Sequence, residues 1–150
     1  MKRAGFTLIE LMVVITVIAI IAAIALPALL RSRLQTNETA AIQNLRTVLA
    51  AQTSFHSANN RFGTIAELAE DAAGTGVGHL DSTWTEGVQR QGYAFSMAQA
   101  TVGFFLCYAD PIEHEITGIR FFRIDPSGIV RWNAANRPAD TDPEIGAPGT

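Results

Sequence analysis

Residues 6–30 are apolar at every position except Thr7, Glu10 and Thr16, and Pro27 lies near the far end of the run. About 20 apolar residues rising 1.5 Å each match the hydrocarbon thickness of a bilayer, so the pattern predicts a membrane-spanning helix. From Arg31 the pattern becomes amphipathic without a helix stop. Leu34, Ala41, Ile42, Leu45, Val48, Leu49 and Phe55 recur at three-to-four spacing, with Gln43, Arg46, Thr47 and Ser54 between them. The two patterns join into one helix over residues 6–58, roughly 80 Å long at 1.5 Å per residue. Pro27 falls inside it, where it removes a hydrogen bond and crowds the preceding turn, so a bend or local unwinding is expected there.

Asn59, Asn60 and Gly63 close the helix, and Thr64-Ile-Ala-Glu67 has the spacing of a capping box, which predicts a short helix to about Glu70. Gly74, Gly76 and Gly78 follow in a loop to about Gln91; without a preceding strand and a following helix they make a flexible connection, not a phosphate cradle. Trp84 stands apart in this loop and is read as a surface contact. Then come alternating runs: Tyr93, Phe95 and Met97; Val102, Phe104, Leu106 and Tyr108, ended by Asp110-Pro111; residues 119–124; and, after the turn Asp125-Pro126-Ser127-Gly128, residues 129–132. Four short strands joined by turns predict an antiparallel meander whose apolar face covers the amphipathic half of the long helix. The fold class is α+β. Residues 134–150 carry Pro138, Pro143 and Pro148 with Asp140, Asp142 and Glu144 but no hydrophobic pattern, which predicts a draped or disordered, flexible tail.

Composition narrows the function. The 150 residues are 48% hydrophobic and allow one small domain beside the anchor. Eleven basic against 14 acidic residues give −3, and removing Lys2 and Arg3 leaves nine against 14, or −5, which gives no electrostatic footprint for nucleic acid. Catalysis finds little support: His56, His79 and His114 are scattered, no nucleophile motif lies near them, and Glu113 and Glu115 flank His114 on an exposed connection. Asn37-Glu38-Thr39 matches a glycosylation sequon but falls in a helix, where chance explains it. The lone Cys107 lies in a strand-like run and reads as a buried small hydrophobe. The acidic tail lacks a recognisable calcium-ligand spacing, and no metal or cofactor is expected.

Glu10 is the exception to this blandness. A carboxylate in hydrocarbon costs roughly 2.5–3.5 kcal/mol on insertion scales and marks a functional pairing. The only small-residue junction, Ala4-Gly5, precedes the apolar core, so cutting after Gly5 keeps the helix, unlike cutting a secretory signal. The cut creates an α-amine at Phe6, the natural partner of Glu10. Lys2 and Arg3 at one end of the span are balanced by Arg31 and Arg33 at the other, so charge alone does not orient it.

GFTLIELMVV after a very short basic leader resembles the N-terminal cleavage and methylation motif of type IV prepilins and type II secretion pseudopilins. The likeness is close over the first 30 residues and general over the helix that follows. It implies a pilin fold, with a leader at residues 1–5, a transmembrane and polymerisation helix at 6–30, a globular head at 31–133 including the second half of the helix, and a tail at 134–150. It further implies cleavage between Gly5 and Phe6, N-methylation of Phe6, and assembly through Thr7, Glu10 and Pro27. Many relatives pin a C-terminal loop with a disulfide, which the single Cys107 excludes within this chain. The implied partners are other copies of the chain, a prepilin peptidase and methylase, an inner-membrane assembly platform with its ATPase, and lipid before assembly. The implied course runs from a single-pass inner-membrane precursor with a cytoplasmic leader to an extracellular pilus. Two alternatives stay open: a periplasmic pseudopilin of a secretion system, and a single-pass anchored extracytoplasmic binding domain that never polymerises. Nothing on the head chooses among adhesion, motility, DNA uptake and secretion.

Overall fold

A computed structural model describes residues 6–70 and 79–146. Its elements are α1 (Leu8–Asn59), α2 (Ile65–Ala69) and strands β1 (Gln89–Arg90), β2 (Tyr93–Ala100), β3 (Phe105–Pro111), β4 (Phe121–Ile124) and β5 (Val130–Asn133). The chain divides after Arg33 into two compact units, and α1 contributes to both. Pro27 lies within α1 without ending it or interrupting its helical assignment, so local unwinding is not observed. Missing one N–H is tolerable where the remaining turns of a long helix hold the backbone.

In the first unit the helix keeps its apolar side chains exposed. Leu8 is 76% exposed and Ile24 73%, and the most apolar 18-residue window of α1 has a mean hydropathy of 3.0 with none of it buried. Length and composition are those of a membrane span.

The second unit is built on the amphipathic part of α1. Ala41, Leu45, Val48, Ala51 and Phe55 form its buried stripe, packed into a core with Phe95, Phe105, Cys107, Phe122 and Ile124 of the sheet. The helix ends at Asn59, and Asn60 takes the left-handed conformation (φ 54°) while its N–H donates to the His56 carbonyl, an αL stop. Buried Gln52 then ties the following segment to the helix: its amide donates to the Gly63 carbonyl (2.6 Å) and accepts from the Gly63 N–H (2.9 Å). The capping box at Thr64 and Glu67 starts α2 as its spacing predicts.

The sheet is an antiparallel meander in the order β1-β2-β3-β4-β5. It has five strands, not about four. The extra one, β1, is two residues of Gln and Arg with no alternation; it exists because Gln91 (φ 43°) and Gly92 (φ 78°) form the tight turn that folds it onto β2. The β2–β3 connection also differs from the pattern. Val102 and Phe104 belong to an exposed hairpin tip, where Thr101 bonds back to Phe104, and the strand runs instead from Phe105 through Pro111. The Gly-rich stretch at residues 74–78 lies outside the described residues.

Residues 134–146 drape along the sheet. The Ile145 N–H donates to the Val130 carbonyl and the Trp132 N–H to the Pro143 carbonyl, Pro138 is buried, and Ile145 packs on the core. Three arginines pin this segment: Arg123 pairs with Asp140, Arg131 with Glu144 (2.7 Å), and Arg137 with Asp110 (2.5 Å). No hydrophobic period marks such a segment in the sequence because its contacts are ion pairs and single apolar anchors.

Candidate assembly site

The start of α1 gathers two of the residues singled out in the sequence. The Thr7 N–H and hydroxyl both donate to Glu10 Oε2, at 2.9 and 2.8 Å, and the Thr7 hydroxyl oxygen accepts from the Glu10 N–H at 3.3 Å. This is a capping box with Thr7 before the first helical turn and Glu10 closing it. The Thr-x-x-Glu spacing is present in the sequence here as well as at Thr64. Negative charge at this end also meets the positive pole of the helix dipole. Phe6, next to the box, is 91% exposed. Gly5, the residue before the expected cut, lies outside the described residues. Farther along α1, Thr16 returns its hydroxyl proton to the Met12 carbonyl (2.7 Å) and so satisfies its polarity within the helix. Pro27 lies 20 residues beyond Thr7 along the chain, so the three expected assembly positions are not one cluster.

Other candidates resolve into structural roles. His56 packs on Phe62 (4.6 Å between centroids), His79 contacts Ser54 and the edge of Phe55, and His114 reaches the Ile119 and Ala134 carbonyls; the three remain apart. Cys107 is fully buried, and burial, ahead of the charges of Glu86 and Asp110, pushes its thiol up. Trp84 is no surface contact: it is 2% exposed, meets Phe95 edge-on at 5.4 Å and carries Arg90 over its ring at 4.6 Å. An indole in a polar loop is buried here because the loop folds back over the sheet.

The residue missed from sequence is Glu38. It is 6% exposed and accepts from the Ile119 and Arg120 N–H groups (3.1 Å each) and from the Arg120 guanidinium (Nε 2.9 Å, Nη2 2.7 Å). Beside it the Asn37 amide donates to the Thr117 carbonyl at 2.9 Å. The sequon over these residues is thus occupied by structural contacts. The signal was available: Glu38 lies three and seven residues before Ala41 and Leu45, on the buried stripe.

A family model described as the prokaryotic N-terminal methylation motif matches residues 1–26. Over 65 residues the chain is 40% identical to the type IV major pilin protein PilA of Myxococcus xanthus (strain DK1622), an alignment covering 43% of this chain and 30% of the relative. The match thus spans less than a third of that relative's length. An N-terminal methylation motif opening a long apolar helix, with an antiparallel meander in the second unit, makes a pilin-like α+β arrangement. The chain thus carries the prokaryotic N-terminal methylation motif and is similar over part of its length to a type IV major pilin.

Proposed function

We propose that the chain is a structural, non-catalytic subunit of a type IV pilus. It is held in the inner membrane by residues 6–30, cut by a prepilin peptidase between Gly5 and Phe6, methylated on the Phe6 amine and polymerised through the apolar helix. The observation that carries the reading is the prepilin motif set directly on an unburied apolar helix, with Glu10 at its N-terminus.

The capping box suggests how Glu10 works. Both hydrogen bonds from Thr7 end on Oε2, which leaves Oε1 to accept from a cation outside the box. Packing helices into a filament removes water, and a carboxylate left unpaired there is costly. The Phe6 amine of an incoming subunit relieves that cost and fixes axial register, which apolar contacts specify poorly. Thr7 assists by holding the carboxylate in one orientation.

The test is assembly by Glu10→Ala and Glu10→Gln. Both are expected to be cleaved and to keep a folded head, while sheared filament yield collapses, because the amide lacks the charge. Normal filament yield from either variant would refute the pairing. Short periplasmic assemblies instead of surface filaments would assign the subunit to a secretion pseudopilus.

A further inference from the structure

The connection between β3 and β4 carries a surface the helix-driven assembly leaves unexplained. Ile112, Ile116 and Ile119 are 41%, 70% and 44% exposed, and the carboxylates of Glu113 and Glu115, set between them, have no partner among the described residues. Scattered exposed isoleucines need no explanation, but these share one short loop that is held in shape from beneath. The Glu113 N–H and carbonyl both bond the Thr117 hydroxyl, the Glu115 N–H donates to the Gly118 carbonyl, and Glu115 is held at φ 68°. A side chain at Gly118 would collide with the Tyr93 hydroxyl, so the loop is pressed against the core. Glu38 and Asn37 then bind its backbone at Ile119, Arg120 and Thr117. A loop fixed by a buried carboxylate, yet presenting isoleucine and glutamate outward, is organised for contact before any partner arrives.

Arg31 and Arg33 supply the complementary charge. Both are exposed and have no ion-pair partner among the described residues. They precede Asn37, the residue that grips the loop, by only six and four positions. We propose that the loop at residues 112–119 docks on a second copy of this chain, with Glu113 and Glu115 meeting its Arg31 and Arg33 and the isoleucines closing the contact. An anionic lipid surface is the poorer occupant, because the two glutamates would face like charge. The contact rests on the polymer reading and adds to it: Glu10 sets helix register, and the loop sets which faces of neighbouring heads meet.

Charge reversal tests the contact in the native host, using full-length chains and sheared filament yield. Glu113→Arg with Glu115→Arg, and separately Arg31→Glu with Arg33→Glu, are each expected to lower yield about tenfold or more, since like charges set opposite one another oppose association. Both reversals in one chain should restore it. Coexpression of the two singly reversed chains should also restore it, as a mixed filament, which pairing within one chain could not do. Normal yield from either reversed chain would overturn the docking contact while leaving the polymer reading intact. The contact is overturned equally if coexpression fails while the doubly reversed chain succeeds, or if the glutamate-reversed chain alone gains binding to anionic vesicles without losing filaments. Absence of filaments from the unaltered chain would overturn both.

Discussion

Glu38 shows how a single side chain can hold a loop that lies 81 residues away in sequence. Its buried carboxylate accepts from two backbone N–H groups and one guanidinium, so removing it takes an acceptor from all three. Glu38→Ala is expected to destabilise the head by about 3 kcal/mol, at the low end for breaking a buried pair because Arg120 is one-third exposed. Glu38→Gln keeps an acceptor and should cost about 1 kcal/mol. Urea unfolding of the two variants should preserve that order; equal stability with the unaltered chain would remove Glu38 as an anchor. Glu67 offers a pH test at the same scale. Hydrogen bonding from Arg61, then from the Thr64 N–H, holds its carboxyl at about 2, against an ordinary 4.5. A depressed folded value stabilises above 4.5, and the contribution is lost as pH falls from 4.5 towards about 2. An NMR titration should find Glu67 still ionised midway between those two values and the Thr64 amide shifting only below that; a midpoint near 4.5 would contradict the capping box.

Among the elements, α1 was the most legible from sequence because its two patterns, continuous apolar and then amphipathic, are both long. Leu45 sits at 0% exposure in its stripe, and Leu45→Ala should cost roughly 2–5 kcal/mol as a core truncation. A denaturation midpoint unchanged by that substitution would mean the wrong face had been assigned to the sheet. β4 and β5 were legible for a similar reason, through the Asp125-Pro126-Ser127-Gly128 turn, where Asp125 Oδ1 accepts from the Ser127 N–H at 2.8 Å. What escaped was whatever lacks a period. β1 is polar and two residues long, and Trp84 sits in a loop whose fold is set by distant contacts; for residues 134–146 the sequence left draped and disordered both open, because Arg123 and Arg131, which pin the segment, lie outside it. At the candidate site the sequence pointed to Thr7 and Glu10 separately, but the bond between them waited on the helix boundary at Leu8. Glu38 was hidden because a charge on an apolar stripe carries no mark of the distant backbone it meets.

At the scale of the whole molecule, one helix serves two solvents. Its first 25 or so residues suit lipid or a packed filament core, and its later residues carry the head. The change from one environment to the other depends, on the proposed function, on a single covalent event after Gly5. That event is open to chemistry, because Lys2 is the only lysine and would leave with a leader cut after Gly5. The most direct test is the intact mass of the chain recovered from sheared extracellular filaments, combined with an amine-directed label. We expect a chain beginning at Phe6, heavier by one methyl group, with no lysine to label and a secondary amine at its terminus. A chain that still carries residues 1–5, found only in the membrane and never in filaments, would contradict it.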